Sequence, residues 1–147
     1  MSRPLAVLVG VMAGVLVGMQ APINSRLGKV IGTLPAASFS FVVGTAVLLV
    51  ITSIVGGGLG AFGNVGRAPS WALIGGLLGA VYVSVALVVV RTLGAAGLTA
   101  VVITGQLAVS VAIDRFGLLG VAKQEVSPQR VIGLVLLVAG VSLVVRK

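Results

Sequence analysis

The chain alternates between long apolar stretches and short segments that carry nearly all of its charges. Five stretches are long enough to cross a bilayer, since a helix needs about 20 apolar residues to span a hydrocarbon layer about 30 Å thick. They run from about Pro4 to Asn24, Pro35 to Val55, Pro69 to Val90, Ala95 to Leu119 and Pro128 to Val145. This pattern predicts an all-α integral membrane protein that forms a single transmembrane domain over residues 1–147.

Prolines mark the predicted helix starts. Proline suits the first helical position because its missing N–H would be unpaired there in any case. The prolines that open predicted spans are Pro4, Pro35, Pro69 and Pro128. Ser127 is a candidate N-cap for the last helix. Pro22 lies late in the first span, where we expect it to kink or end the helix.

The composition agrees with a membrane protein and excludes several kinds of chemistry. Hydrophobic residues make up 59% of the chain and charged residues 8%, against about 45–50% and 25% in a soluble domain. There is no Cys and no His, which excludes disulfide frameworks, the usual zinc sites and His-based acid–base catalysis. Because no catalytic group or phosphate loop is visible either, we predict no enzyme activity, cofactor or metal.

The basic residues are divided evenly between the two sides of the membrane. Five predicted spans place the termini on opposite sides, and five Lys or Arg residues then fall on each side. Since orientation follows the Lys/Arg excess, the balance predicts copies that insert both ways and pair as an antiparallel dimer. The alternative is that the first loop or a partner chain decides the orientation. No aromatic residues are interleaved with the basic ones, so they indicate contact with anionic membrane lipids rather than nucleic acid.

Glycines recur at spacings that place them on one face of a predicted helix. The series are Gly10, Gly14 and Gly18; Gly75 and Gly79; and Gly133 and Gly140. Because lipid tails are as apolar as leucine, membrane helices associate through close packing of such small residues. The glycines therefore indicate tight helix–helix contacts.

Polar residues inside the predicted spans are candidates for substrate binding. One stripe, about 80° wide on the fourth helix, consists of Thr99, Gln106, Ser110 and Asp114. Asp114 has two interpretations. It is a partly desolvated carboxylate that binds a proton or a cation, or it ends the helix and pairs with a nearby basic residue. The basic candidates are Arg115, Lys123 and Arg130.

Two further positions hold candidate polar groups. Gln20 and Asn24 lie four residues apart around Pro22, where a broken helix would expose backbone groups able to build a site at membrane depth. The alternative is that the two amides cap a helix end at the interface. Tyr82 lies in the middle of the third span rather than in the interfacial belt, so its hydroxyl needs a partner there.

Several segments together resemble the YdcZ-like family of bacterial inner-membrane proteins, within the drug/metabolite transporter superfamily. The most specific is ITGQLAVSVAIDRFG at residues 103–117. Supporting segments are GMQAPINSRLG at 18–28, PAASFSFVVGT at 35–45 and PSWALIGGLLGAVYV at 69–83. The closing segment, RVIGLVLLVAGVSLVV at 130–145, is also similar to the last helix of small multidrug resistance transporters.

The resemblance implies a half-size transporter. Longer relatives have ten helices in two inverted five-helix repeats, so a five-helix chain completes that architecture as an antiparallel homodimer or with a paralogue as a heterodimer. In small multidrug resistance transporters the closing helix forms the dimer contact, which here corresponds to Gly133 and Gly140. Those transporters couple to protons through a Glu in the first helix. No acid lies before Asn24 here, which leaves Asp114 as the carboxylate candidate.

Two functions remain as hypotheses. The first is an inner-membrane exporter of small molecules that works by alternating access. Its substrate site near the dimer axis would be lined by Gln20, Asn24, Tyr82, Gln106, Ser110 and Asp114. The second is a non-transporting membrane subunit that packs with a partner membrane protein and modulates it, with the polar stripe facing the partner.

Overall fold

The computed structural model describes residues 1–56 and 58–146, and these residues form helices without any strand. Gly57 and Lys147, which is one of the basic residues in the charge balance, lie outside the described residues. The α-helices are α1 (Arg3–Ile31), α2 (Thr33–Val55), α3 (Gly75–Phe116) and α4 (Pro128–Val145). Short 3₁₀ helices lie at Leu59–Arg67, Ser70–Ile74 and Leu118–Gly120.

The predicted all-helical membrane class is confirmed. Four helical segments among the described residues are long and apolar enough to cross a membrane. Most large apolar side chains on them are exposed, as Leu16, Ile54 and Leu143 illustrate. A protein whose apolar surface is this extensive needs lipid or another membrane protein around it.

Helix α1 is longer than the span predicted from Pro4 to Asn24. It contains 29 residues and continues through Pro22 to Ile31, so the expectation that Pro22 ends the helix is not met. Proline removes one N–H, and the turn after it survives because Asn24, Ser25 and Gly28 are buried. The helix ends at Gly32, whose φ of 94° favours glycine.

Helix α3 contains one non-helical residue, Gly94, with φ 71° and ψ 174°. This backbone region is open almost only to glycine. It separates a first arm, residues 75–93, from a second arm, residues 95–116, and lies between the predicted third and fourth spans. The second arm ends at Phe116 rather than Leu119 because Gly117 adopts a left-handed conformation (φ 64°) that stops the helix.

Helix α4 begins as the sequence predicts. Pro128 is its first residue, and the Ser127 hydroxyl accepts a hydrogen bond from the Arg130 backbone N–H at 3.4 Å. This bond satisfies one of the N–H groups that every helix leaves unpaired at its start.

The chain divides into two compact units, Met1–Arg91 and Thr92–Lys147, here called the N-terminal and C-terminal units. The core of the N-terminal unit lies between α2 and the first arm of α3. It consists of Ala36, Ala37, Val83 and Leu87, with Leu27 and Tyr82 packed against it. Ala36 also lies close to α1, since a Cβ added at Gly28 would be 3.6 Å from Ala36 Cβ, and small residues allow such close approach between membrane helices.

Candidate functional site

A buried polar pair lies on α1 in the N-terminal unit. Asn24 and Ser25 are each only 6% exposed. The Asn24 Oδ1 accepts a hydrogen bond from the Ser40 Oγ of α2 at 3.0 Å. The Asn24 Nδ2 has no partner within residues 1–56 and 58–146. Leaving such a donor unpaired costs about 1–3 kcal/mol, so this amide is a position that water or a ligand would satisfy.

The same unit contains a cleft of about 190 Å³, which is lined by Ser40, the hydrogen-bond partner of Asn24. Its polar groups come from Gln20, Ser40 and Thr45, and its remaining wall from Phe41, Gly44, Leu48 and Val83. We call it the Gln20 cleft. A largely apolar wall with a few polar groups is typical of small-molecule sites, although its volume is below the usual range of about 300–1,000 Å³.

The Phe41 side chain also lines a second cleft of about 310 Å³ in the N-terminal unit. Ser38 and Ser84 supply the hydroxyls of this second cleft. A Cβ added at Gly79 would lie 3.3 Å from Phe41 Cζ, so the missing side chain at Gly79 lets the aromatic ring lie against α3. Phe41 is therefore a wall that the two clefts share.

Arg91 is anchored at the end of the N-terminal unit. Its Nε donates to the Ser25 Oγ at 3.2 Å, and the Ser25 hydroxyl donates to the Leu87 carbonyl oxygen at 3.4 Å. A Cβ at Gly28 would lie 2.9 Å from Arg91 Nη2. The guanidinium thus lies directly against the α1 backbone.

The C-terminal unit has a groove of about 450 Å³ between the second arm of α3 and α4. Ser110, Asp114 and Arg130 are its polar residues, and Gly133 lies in its wall. Asp114 Oδ2 accepts a hydrogen bond from Arg130 Nη1 at 3.1 Å, and Arg130 Nη2 donates to Gln124 Oε1 at 2.9 Å. Of the two interpretations of Asp114, pairing with Arg130 is the one that the structure displays.

The predicted site residues fall into separate groups. Gln20 lines its cleft and Asn24 lies next to it through Ser40, while Tyr82 is half-buried against the core. Ser110 and Asp114 share the groove of the C-terminal unit, whereas Gln106 is exposed and does not line it. The structure neither confirms nor contradicts substrate binding at these residues, which stays a prediction.

Three polar residues of the N-terminal unit were not predicted as part of a site: Ser25, Ser40 and Arg91. Each gains its importance from a contact between distant parts of the chain, 16 residues apart for Asn24 with Ser40 and 66 for Ser25 with Arg91. Hydroxyls on a membrane helix usually bond to their own backbone, and Arg91 fits a residue that simply reaches the interface. Sequence spacing therefore gave no signal for these contacts.

The glycines of the predicted dimer contact have open surroundings. A Cβ added at Gly133 or Gly140 meets nothing within 4 Å in the described part of the chain. The same holds for Gly10, Gly14 and Gly18 on α1. Each of these faces is open within its own unit, so the helix contacts that the glycines predict would come from outside that unit.

Comparison with known proteins gives one match. A family model described as "Putative inner membrane exporter, YdcZ" matches residues 5–143, which is nearly the whole chain. No curated protein and no solved structure gives a match.

Proposed function

Because this chain belongs to the YdcZ family, we propose that it exports small molecules by alternating access, as an antiparallel dimer of five-span subunits. The protein is a multi-pass protein of the inner membrane, and its family is one of exporters rather than enzymes. The number of spans, the pairing and the binding site are proposals, and a different observation supports each of them.

The length of α3 and its break at Gly94 support five spans. The helix has 42 residues, a rise of about 63 Å at 1.5 Å per residue, which is twice the hydrocarbon thickness of about 30 Å. One crossing would leave half of an apolar helix in water. Two crossings joined at the non-helical Gly94 use both arms.

The Asn24 amide is the observation that carries the transport proposal. A buried polar side chain needs a hydrogen-bond partner from the protein or from a water-filled cavity. Asn24 is buried, has a free Nδ2 donor among the described residues, and bonds to a serine that lines the Gln20 cleft. A substrate entering that cleft would meet Gln20 and Ser40 first, with Asn24 behind them.

Open glycine faces support pairing with an inverted copy. The uncovered glycines on α1 and α4 would allow close approach of another helix. The even division of basic residues gives copies of both orientations. In such a dimer a second subunit would enlarge a cleft that is small for a substrate in one chain.

Thiol labelling tests whether the Gln20 cleft is water-filled. The chain has no cysteine, so single substitutions can be labelled with a membrane-impermeant maleimide from either side. We expect Thr45→Cys, in the cleft wall, to react. Ala46→Cys is the matched control because Ala46 is exposed, lines neither cleft and differs in depth by only about 1.5 Å.

The outcome separates the two functions. Reaction at Thr45→Cys without reaction at Ala46→Cys supports an aqueous substrate path. No reaction at Thr45→Cys from either side contradicts the transport proposal and favours the non-transporting subunit. Equal reaction at both positions also contradicts it, because the water would then not be confined to the cleft.

Reporter fusions test the antiparallel pairing separately. A C-terminal reporter that signals on both sides of the membrane is expected from the charge balance. Two lysines added to the loops of one side should then fix one orientation. A reporter confined to one side in the native sequence would contradict dual topology while leaving the labelling result intact.

A further inference from the structure

The Arg91 side chain is exposed, yet its guanidinium is hydrogen-bonded to a buried residue of α1. Its Nε is held by the Ser25 Oγ at 3.2 Å, and Ser25 is only 6% exposed. The Ser25 hydroxyl proton is directed to the Leu87 carbonyl oxygen, so its oxygen lone pairs face the guanidinium. The Nε edge of Arg91 is therefore held by Ser25, a buried residue that is itself held by the Leu87 carbonyl oxygen.

Gly28 completes this position. A Cβ there would lie 2.9 Å from Arg91 Nη2, so the end of the arginine side chain would have to move if Gly28 carried a side chain. The same added Cβ would lie 3.6 Å from both Thr33 Cα and Ala36 Cβ. The guanidinium thus lies over bare α1 backbone close to the first turn of α2, in a space that a larger residue would fill.

The positive charge held there has no counter-charge in its unit. The two acids of the chain are Asp114 and Glu125, both outside residues 1–91, while the N-terminal unit carries five Lys or Arg residues. Two of these, Arg26 and Lys29, flank Gly28 along α1. In the described structure the Arg91 terminal nitrogens have no hydrogen-bond partner.

An arginine arranged in this way presents two N–H donors to two oxygens of one oxyanion. Guanidinium stays charged and offers its N–H groups in a rigid fork that matches phosphate oxygens, which an ammonium group does not. With Nε used by Ser25, the Nη1 and Nη2 groups are left to donate to two oxygens of one ligand. An arginine that only extends to the membrane interface needs neither the hydrogen bond to Ser25 nor the absence of a side chain at Gly28.

We propose that Arg91, anchored by Ser25 over Gly28, binds a phosphate group. The group belongs to an anionic lipid or to a soluble phosphate, and the two sources share the chemistry of a doubly hydrogen-bonded oxyanion. The site is distinct from the Gln20 cleft, whose lining does not include Arg91. It therefore stands whether or not the transport proposal is correct.

Native mass spectrometry of the intact protein tests the lipid source. The protein is titrated with phosphatidylglycerol or phosphatidylcholine in detergent, and the bound lipids are counted. We expect native protein to prefer phosphatidylglycerol and Arg91→Gln to bind it about tenfold more weakly, the effect of losing charge-assisted hydrogen bonds. Arg67→Gln is the matched control, because it removes the same charge from the same unit at a residue without a side-chain hydrogen bond in the described chain.

Two more variants separate geometry from charge. Arg91→Lys keeps the charge but loses the fork, and Ser25→Ala keeps the arginine but loses its anchor. We expect each to weaken phosphatidylglycerol binding about threefold, between Arg67→Gln and Arg91→Gln. Circular dichroism in the helical region checks that every variant is folded. If Arg91→Gln does not fold, the binding measured for Ser25→Ala tests the proposal instead.

The soluble source is tested in nanodiscs of phosphatidylcholine alone, with inorganic phosphate as the titrant and the thermal unfolding midpoint as the readout. If phosphate raises the unfolding midpoint of native protein but not that of Arg91→Gln, the site is assigned to soluble phosphate. If Arg91→Gln weakens only the binding of phosphatidylglycerol, the site is assigned to lipid. The proposal is overturned if Arg91→Gln binds both probes as well as Arg67→Gln does, or if native protein binds neither.

Discussion

The N-terminal and C-terminal units differ in how far their polar side chains are buried and in whether those side chains have partners. In the N-terminal unit Asn24 and Ser25 are 6% exposed, and no carboxylate is present to balance the basic residues. In the C-terminal unit Asp114 and Arg130 form an ion pair whose side chains are 27% and 42% exposed. An exposed pair contributes about 0–1 kcal/mol, whereas an unpaired buried amide costs about 1–3 kcal/mol.

This difference indicates where a ligand is to be sought. A buried polar group that is retained at a cost needs a purpose other than folding, and the N-terminal unit has one at Asn24. In the ion pair of the C-terminal unit each charge has a partner, and the pair joins the end of the second arm of α3 to the start of α4. Its contribution is to local structure, whatever else Asp114 does.

Equilibrium unfolding in mixed micelles can follow the two units separately. Trp71 is the one tryptophan in the sequence and lies in the N-terminal unit, so its fluorescence reports on that unit. Circular dichroism reports on both. A variant of the N-terminal unit should therefore shift both signals, and a variant of the C-terminal unit should shift circular dichroism alone.

The largest effect is expected for Leu87→Ala. Leu87 is 0% exposed and belongs to the core of the N-terminal unit, so the substitution leaves a cavity and lowers the free energy of unfolding by about 3 kcal/mol. Leu136→Ala on α4 is the control, because Leu136 is 67% exposed. Equal losses for the two variants would show that the fluorescence does not report on a separate core.

The second-largest effect is expected for Gly28→Leu, which should lower the free energy of unfolding by about 2 kcal/mol because the added side chain overpacks the site. Its added atoms would meet Arg91 Nη2 and the start of α2. A Cβ added at Gly133 meets nothing within 4 Å in the described chain, so Gly133→Leu should lower the unfolding free energy less than Gly28→Leu but reduce crosslinking between copies. A dimer that crosslinks as before in Gly133→Leu would reject that face as the contact.

Gly94→Ala tests the break in α3. Alanine is strained at φ 71° and ψ 174°, and the cost should be about 1.5 kcal/mol. Gly105→Ala is the control, because Gly105 lies inside the second arm and a Cβ there meets nothing within 4 Å of the described residues. A more stable Gly94→Ala would mean that the two arms join into one continuous helix.

The smallest effect is expected for Asp114→Asn. The ion pair with Arg130 is partly exposed, so its loss should lower the unfolding free energy by about 0.5 kcal/mol. Because salt screens exposed charges, the difference from native protein should shrink when NaCl is raised. A loss of several kcal/mol that persists in salt would instead indicate a buried charge, and would remove the contrast between the units.

Local rules predicted much of the helix pattern. Pro128 with Ser127 fixed the start of α4, and the break at Gly94 falls between two predicted spans. Of the two effects expected at Pro22, a kink or an end of the helix, the end is not found, because the residues after it are buried and hold the turn. Local sequence cannot contain that information, since the burying residues lie on other helices.

The candidate site was predicted only in part for the same reason. Gln20 and Asn24 were identified because polar residues are rare inside apolar helices. Their partners were not, since Ser40 and Arg91 resemble an ordinary helix hydroxyl and an ordinary boundary charge. Only the folded unit places Ser40 against Asn24 and Arg91 against Ser25.

Helix α1 extends beyond the apolar stretch that it contains. Its 29 residues rise about 44 Å, whereas residues 4–25, which precede Arg26 and Lys29, rise only about 33 Å, close to the hydrocarbon thickness of about 30 Å. We therefore expect the last turns of α1, which carry these two basic residues, to lie among the lipid headgroups rather than in the hydrocarbon layer.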